Sequence, residues 1–473
     1  MRHLSIGFIQ GIAKRCGLVT LRCLRKSNSA WCLCEKGESG PSVQARFIVI
    51  LTQFCKCYGA CKLFRNVIIT VALIFSFCLT EAFAETLSFE QIANEACATY
   101  PSVLSKKMSR DAAKADVSSA RWQLFPTPAV LADSDKNGNN NVTLAVKQIL
   151  WTGGRVSSEI DSAKFLHEAS GKAVRESQYG IVLNVIDAYV EAVRQQGRKM
   201  ISRNNVQQHE RLDDVIKRRV ASEVSSEADR KLSLVRLSQA INTFSTVEQA
   251  LAKSLTLLSQ YSGKNVTAVT PVNLEMADLP ENKEAAIKQA MDWSPSLARL
   301  ASEEASAQAQ IKVKKSVYWP TLALRYEKSF TRFESEGGTA DERIMAVVEA
   351  QPGAGLSAFS GVDAAVAKYK AAREQRQTVS RELTQLISET WDGMMAARSR
   401  IELSDAACVN SQEVFESYKR QYIISRKSWL DVLNAVREAS EAELSAEDVR
   451  AQVAVYKLRL LLLTGKMKLG FNS

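Results

Sequence analysis

Histidine is nearly absent from this chain, with three in 473 residues, and only His167 and His209 lie beyond residue 84. No H-E-x-x-H pair, no G-x-x-x-x-G-K-[ST] phosphate loop and no G-x-S-x-G elbow occurs, which removes the commonest signatures of zinc hydrolysis, nucleotide hydrolysis and serine catalysis. Carboxylates are plentiful, but paired acids act only in a concave, desolvated site, which an open helix face does not offer. No catalytic residue is assigned and no enzyme is expected. Prolines number nine and aromatics make up 7% of the chain, a balance that favours helix over a large soluble sheet.

Long apolar runs are also missing, apart from residues 67–79. That run is short of the roughly 18–20 residues a membrane span needs. It follows Arg65 and precedes Ala82-Phe-Ala84, small residues at the two positions a signal peptidase reads. The expectation is a signal peptide at 63–84 preceded by a non-native extension at 1–62, with Leu63 the candidate start. Cys78 lacks a lipoprotein box before it, so export without a lipid anchor is expected.

Positive charge sits in the same front segment. The formal net charge is +11, but residues 1–84 hold 11 Lys or Arg against 3 Asp or Glu, leaving about +3 for the remainder. That near balance excludes an extended phosphate-binding face, so no nucleic-acid partner is expected. Eight of the ten cysteines also precede residue 84, leaving Cys97 and Cys408. The Cys32/Cys34 and Cys55/Cys57 pairs are C-x-C with no histidine nearby, closer together than structural zinc ligands usually are. No metal is assigned.

What is present is a duplication. Tyr100-Pro-Ser-Val-Leu104 matches Ser294-Pro-Ser-Leu297, and Leu124-Phe-Pro126 matches Tyr318-Trp-Pro320, both at an offset of 194 residues. Leu150-Trp-Thr-Gly153 aligns with Ala358-Phe-Ser-Gly361 at 208. Arg218, Ser226, Asp229 and Ala240 align with Arg420, Ser428, Asp431 and Ala442 at 202. A repeat of this length fixes the architecture before local structure is considered. The expected units are 85–275 and 276–473.

Each unit reads helix, strand, strand, long helices. The first helix should run over about 87–122, stopped by Pro126 and Pro128. Val142, Leu144 and Val146 then alternate with polar or small residues, as do Leu322, Leu324 and Tyr326, the period of a strand with two unlike faces. Return segments at 343–349 and polar turns at 133–141 and 334–341 complete two hairpins. Four strands cannot close a barrel, so they form a small soluble sheet or several chains share one barrel. No proline interrupts 129–270 or 353–473, and apolar residues keep a three-or-four spacing, as in Leu237, Ile241, Phe244, Val247 and Leu251. Helices of about 50 residues would reach about 75 Å and pack as coiled coils. The glycines of Gly353-Ala-Gly355-Leu-Ser-Ala358 imitate a dinucleotide fingerprint, but no parallel βαβ unit surrounds them. They read as a strand-to-helix turn, and no cofactor is assigned.

Taken in order, Tyr100-Pro-Ser, the breaks at Pro126 and Pro320, Trp151-Thr-Gly-Gly154, the segment 352–361 and Asp431-Val-Leu433 resemble the TolC family of outer-membrane channels, over about 86–466. The resemblance implies a mainly α protein in which each protomer of a homotrimer gives four strands to a 12-stranded β-barrel in outer-membrane lipid, continued by a coiled-coil α-barrel across the periplasm. It implies as partners a periplasmic membrane-fusion adaptor and an inner-membrane ABC or proton-driven transporter. Tyr422, Lys427 and Asp431 fall where the family closes its periplasmic gate, with Asp229 as the first-copy counterpart. Lys427 is expected to hold Asp431 from the same helix face, and a second acidic gate position is Asn434 here. The family's hairpin glycine is replaced by Ser425 and Glu223. Trp122, Phe125, Trp151, Tyr318 and Trp319, at the helix-strand junctions, read either as a membrane-interface belt or as neck packing.

The segment 352–361 is similar to members that serve type I adhesin secretion, so protein export is the expected cargo class. Multidrug efflux through the same kind of duct is the alternative, as is an exported coiled-coil adaptor or structural protein. Two amphipathic hairpins, which an adaptor would not need, separate the last from the others. The cleavage reading is checked by N-terminal sequencing of membrane-purified protein, which should begin at Glu85. A start upstream of residue 80 would refute it.

Overall fold

The computed structural model describes residues 22–26, 29–33, 85–134, 140–271, 278–333, 337–351, 354, 357–467 and 469–470. The expected signal peptide and most of the extension lie outside them, as do residues 135–139 of the first polar turn and most of the glycine-rich turn. Contacts divide the chain into Met1–Phe83 and Ala84–Ser473. In the first unit β1 (Arg22–Lys26) pairs antiparallel with β2 (Ser29–Leu33).

The second unit opens with β3 (Glu85–Leu87), α1 (Phe89–Thr99) and α2 (Pro101–Trp122). The sequence suggested one helix here, but Pro101 ends it. Tyr100 is extended (φ −65°, ψ 132°), serving α1 as C-cap and α2 as N-cap, with Pro101 at the first turn of α2, where its missing N–H costs nothing. Then come β4 (Thr127–Ser134), β5 (Asn140–Trp151), α3 (Arg155–Ala221), α4 (Glu227–Ser262) and β6 (Val266–Val269). The second copy follows as α5 (Lys283–Trp293), α6 (Pro295–Lys315), a 3-10 turn at Ser316–Tyr318, β7 (Thr321–Phe333), β8 (Gly337–Glu349), α7 (Ala358–Ile423) and α8 (Trp429–Leu463). The starts of α1 and α5, α2 and α6, and β4 and β7 are each 194 residues apart, and those of α4 and α8 are 202 apart.

The arms differ from the equal helices of about 50 residues suggested by the sequence. Helices α3 and α7 run for 67 and 66 residues, α4 and α8 for only 36 and 35. At 1.5 Å per residue the long pair reach about 100 Å. Each long helix is flanked by two shorter ones end to end. Near the sheet α2 lies on α3 through Ala120, Val156 and Ile160, and toward the far end α4 folds back along α3. The helices form one layer, ordered α2-α3-α6-α7 near the sheet and α4-α3-α8-α7 beyond it.

A girdle of packing lies near the midpoint of the long helices. Tyr189 of α3 is fully buried, meets Phe89 edge-on at 5.6 Å and donates its hydroxyl to the Thr270 carbonyl at 2.7 Å. Around it β3 pairs parallel with β6, a contact the sequence did not announce. In the second copy Ala286 and Ala290 of α5 pack against Ile387 and Met394 of α7. Cys97 is buried in the girdle, where desolvation pushes its thiol up to about 12. It is therefore protonated and unreactive.

The four strands form one antiparallel sheet in the order β4-β5-β7-β8. They are longer than the sequence suggested: β4 and β5 pair out to Ser134 and Asn140, and β7 and β8 out to Phe333 and Gly337. Pro128 sits within β4, which is an edge strand and can spare the donor. Register puts Val130, Leu144, Val146, Leu324, Ile344 and Val348 on one face, and Val130, Ile344 and Val348 are each about 70% exposed. The opposite face is polar. There Thr143 meets Ser329 at 3.1 Å, Lys147 reaches Glu349 at 3.3 Å, and Glu327 accepts from both Arg325 and Arg343.

Each helical arm turns through a residue in left-handed conformation that is not glycine. Glu223 has φ 57° and Ser425 φ 59°. In both turns the next N–H reaches back to a carbonyl five residues earlier, Val224 to Arg219 and Arg426 to Gln421, each at 2.9 Å. This is a Schellman closure, in which glycine is favoured. Side chains there cost about 1–2 kcal/mol, partly offset by the extra entropy glycine loses on folding. Glu223→Gly and Ser425→Gly should each stabilise the fold by about 0.5–1 kcal/mol, read as a higher thermal midpoint of the purified protein.

Candidate functional site

The chain presents two clusters of candidate residues at opposite ends of α3 and α7. At the far turns, α4 and α8 begin with the same device. Ser226 and Ser428 are N-caps, and Asp229 and Asp431 complete capping boxes with them. Asp431 accepts from the Ser428 N–H at 3.0 Å and from its hydroxyl at 2.8 Å, and returns its own N–H to Ser428 Oγ at 3.2 Å. The Ser428 hydroxyl is the main cause holding the Asp431 carboxyl below its usual range, and Lys427 adds only a minor push. Asp229 makes the same three contacts with Ser226.

The expected pairing of Lys427 with Asp431 is not formed. Lys427 lies in the turn, one residue before the N-cap, so it shares no helix face with Asp431. Its ammonium instead sits 4.1 Å from the centre of the Tyr418 ring. The capping box has already satisfied the carboxylate.

Tyr422 joins the two hairpins. Its ring is buried, lies 4.9 Å from that of Trp429, and belongs to an apolar cluster with Leu212, Ile216, Phe415, Leu433 and Val436. The Arg219 guanidinium stacks 4.7 Å from the ring centre. The Tyr422 hydroxyl is 3.2 Å from that of Ser225, to which Arg219 Nε donates at 3.2 Å. Arg219 and Ser225 were missed by sequence reasoning. The residues aligned with them, Gln421 and Lys427, have different chemistry, so no repeat signal marked them.

At the other end, six aromatics form a collar where helices meet strands. Trp122 and Phe125 stack at 4.9 Å, Trp151 meets Trp319 edge-on at 6.1 Å, and Tyr318 lies 5.1 Å from Phe359. All six remain exposed, Trp122 by 67% and Trp319 by 60%. Phe359 was legible in principle, as the counterpart of Trp151 at the 208 offset. Gly153 lets the two copies close here. Its φ is +60°, and a Cβ on it would lie 2.6 Å from Cβ of Trp319.

Among the described residues no group of His, Cys, Asp and Glu could hold a metal ion, and no helix is long and apolar enough to cross a membrane. A groove of about 320 Å³ lies between α3 and α8 near the girdle. The charges lining it are paired: Arg194 meets Asp448 and Glu191, and Arg459 meets Asp187.

Duplicated hairpins, long paired helices and a four-stranded amphipathic sheet have close parallels among known proteins. The profile of the outer membrane efflux protein family matches residues 92–264 and 286–466, well over half of the chain. The chain belongs to the outer membrane efflux protein family. Outer membrane protein TolC of Salmonella enteritidis is 22% identical over 414 residues, covering 81% of this chain and 84% of that one. Among solved structures, a membrane protein from Pseudomonas aeruginosa superposes with a TM-score of 0.71 at 17% identity, covering 80% of this chain and 93% of that one. The open state of the Neisseria gonorrhoeae MtrE outer membrane channel gives 0.66 at 13% identity, covering 80% and 88%. This outer membrane efflux protein is thus a transport protein and not an enzyme, and its mainly α, duplicated fold with four strands is the fold of those channels.

The Tyr422 contact gives a local stability test. Tyr422→Ala should weaken protection of amide hydrogens on both sides of the two turns, by about 3–5 kcal/mol if the cavity does not collapse. Tyr422→Phe, which loses only the Ser225 contact, should cost about 1 kcal/mol. Hydrogen exchange followed by mass spectrometry of the two hairpins checks both.

Proposed function

We propose that three copies of this chain close into one continuous export duct, a 12-stranded barrel in outer-membrane lipid joined to a tunnel of helices in the periplasm. The observation that carries the reading is the matched pair of open edges. The sheet ends at β4 and β8, and the helical layer ends at α2 and α4 on one side and α7 on the other. Each copy's trailing edges can then meet the next copy's leading edges. Closure satisfies the unpaired backbone groups of β4 and β8, which an open sheet could not leave in lipid. The apolar sheet face turns to lipid and the polar face, with its paired charges, to the lumen.

In this assembly the aromatic collar lies at the membrane-water interface, where amphipathic rings are enriched. The turns carrying Tyr422, Lys427, Asp431 and Asp229 form the periplasmic mouth, where a membrane-fusion adaptor and an inner-membrane transporter would engage. Tyr422 acts there by tying the first hairpin to the second. Asp229 and Asp431 set the start of each returning helix. The mature chain runs from Glu85 in two units, 85–275 and 276–473. For cargo, the segment 352–361 favours protein export of the adhesin type beside an ABC transporter. The family's efflux description keeps small-molecule export with a proton-driven pump as the second reading.

Deleting the gene and comparing culture supernatant, cell-surface proteins and drug susceptibility separates the two. Loss of one large surface protein with unchanged susceptibility is the expected result. Unchanged surface proteins with sensitisation to several drugs would replace protein export by efflux. Loss of neither, together with protein that fractionates away from the outer membrane, would reject the duct.

A further inference from the structure

The turns at the far end of the arms are strongly basic. Within two helical turns of them, over 215–233 and 417–435, nine Lys or Arg stand against four Asp or Glu, although 85–473 as a whole is nearly neutral. Of the four acids, Asp229 and Asp431 are held by the N-cap serines beside them. Those hydrogen bonds leave the negative charge in place, and Glu223 and Glu227 are exposed, so the surplus over the two turns is five positive charges. Exposed Lys217, Arg218, Lys231, Arg420 and Arg426, by contrast, have no ion-pair partner within 4.0 Å among the described residues.

The excess is built into both copies. Arg218 and Arg420 are repeat equivalents at the 202 offset, both exposed and both in the last turn of their long helix. Cations in a last turn favour the helix dipole, which explains their position but not the surplus. The N-terminal ends of α4 and α8 return beside them with positive partial charge, so the helix ends do not cancel the basic side chains. On the sheet, by contrast, the basic side chains facing the polar side each find a carboxylate: Lys147 pairs with Glu349, and both Arg325 and Arg343 with Glu327.

We propose that the periplasmic mouth of this channel is an anion-favouring aperture, set by a ring of six arginines, Arg218 and Arg420 from each of three copies, and reinforced by Lys217, Lys231 and Arg426. The inference rests on the three-copy duct proposed above. A ring of like charge is tolerated because each guanidinium stays hydrated, and it acts on ions in transit because the Debye length at 0.1 M salt is about 10 Å. The cargo class it admits most readily is anionic: acidic unfolded polypeptide or a negatively charged small molecule. Strongly cationic cargo meets a barrier at entry.

The test is the reversal potential of the purified full chain in planar bilayers under a potassium chloride gradient, with trimer assembly checked on a gel. Wild type should show a chloride-to-potassium permeability ratio above one. Arg218→Gln with Arg420→Gln should bring the ratio toward one, and Arg218→Glu with Arg420→Glu should take it below one, with trimers intact in both. A wild-type ratio below one, or a ratio unmoved by either double substitution, would overturn the anion-favouring mouth while leaving the duct in place. Trimers that conduct nothing would overturn the duct and this inference together.

Discussion

A sheet of four strands with an apolar face, a charged face and two unpaired edges has no comfortable medium as a single copy. In water Val130, Ile344 and Val348 are left exposed. In lipid the free N–H and C=O groups of β4 and β8 would be stranded. Only lateral closure on further copies removes both costs, and the helical layer inherits the same requirement because its order runs parallel to the strand order. The rest of the molecule serves that closure. Aromatics gather where the two layers join, Gly153 lets the two sequence repeats of one chain approach there, and the girdle around Tyr189 holds the long helices in register.

Much of this was legible in the sequence because it depends on periodicity and on proline. The 194 offset read from Tyr100-Pro-Ser and Ser294-Pro-Ser, and the 202 offset read from Ser226 and Ser428, reappear as the spacings of α1 to α5 and α4 to α8. The alternation of Val142, Leu144 and Val146 gave β5 its two faces. The break at Pro101 was visible yet read as helix interior, because the apolar pattern continues through it. Helix lengths were the larger miss. No proline or glycine marks the far turns, and the local signal that does mark them, the capping boxes of Ser226 with Asp229 and Ser428 with Asp431, was not read as a helix start.

The site was legible in part, and the missing part has a physical reason. Tyr422 and Asp431 could be named from their order along the chain, but what they touch could not. Asp431 meets Ser428, three residues away, and so is a cap before it is anything else. Tyr422 meets Ser225, 197 residues away. That contact crosses between copies of the repeat that are alike in backbone and unlike in side chain, so neither periodicity nor repeat alignment points to it. Duplication gives the two turns one geometry, down to the left-handed Glu223 and Ser425, and divergence of the side chains makes one hairpin bind the other.

Helices α3 and α7 also set a length for the whole assembly. From Tyr189 in the girdle, α3 continues to Ala221, and α4, α7 and α8 span the same stretch beside it. A longer or shorter arm cannot be gained in one of these helices alone, since its partners would fall out of register. It takes matched insertions or deletions in all four, in steps that keep the same faces in contact, about seven residues or about 10 Å each time. Arm length therefore changes in discrete increments, and the distance from the girdle to the far turns is a dimension to which this chain is committed by its sequence.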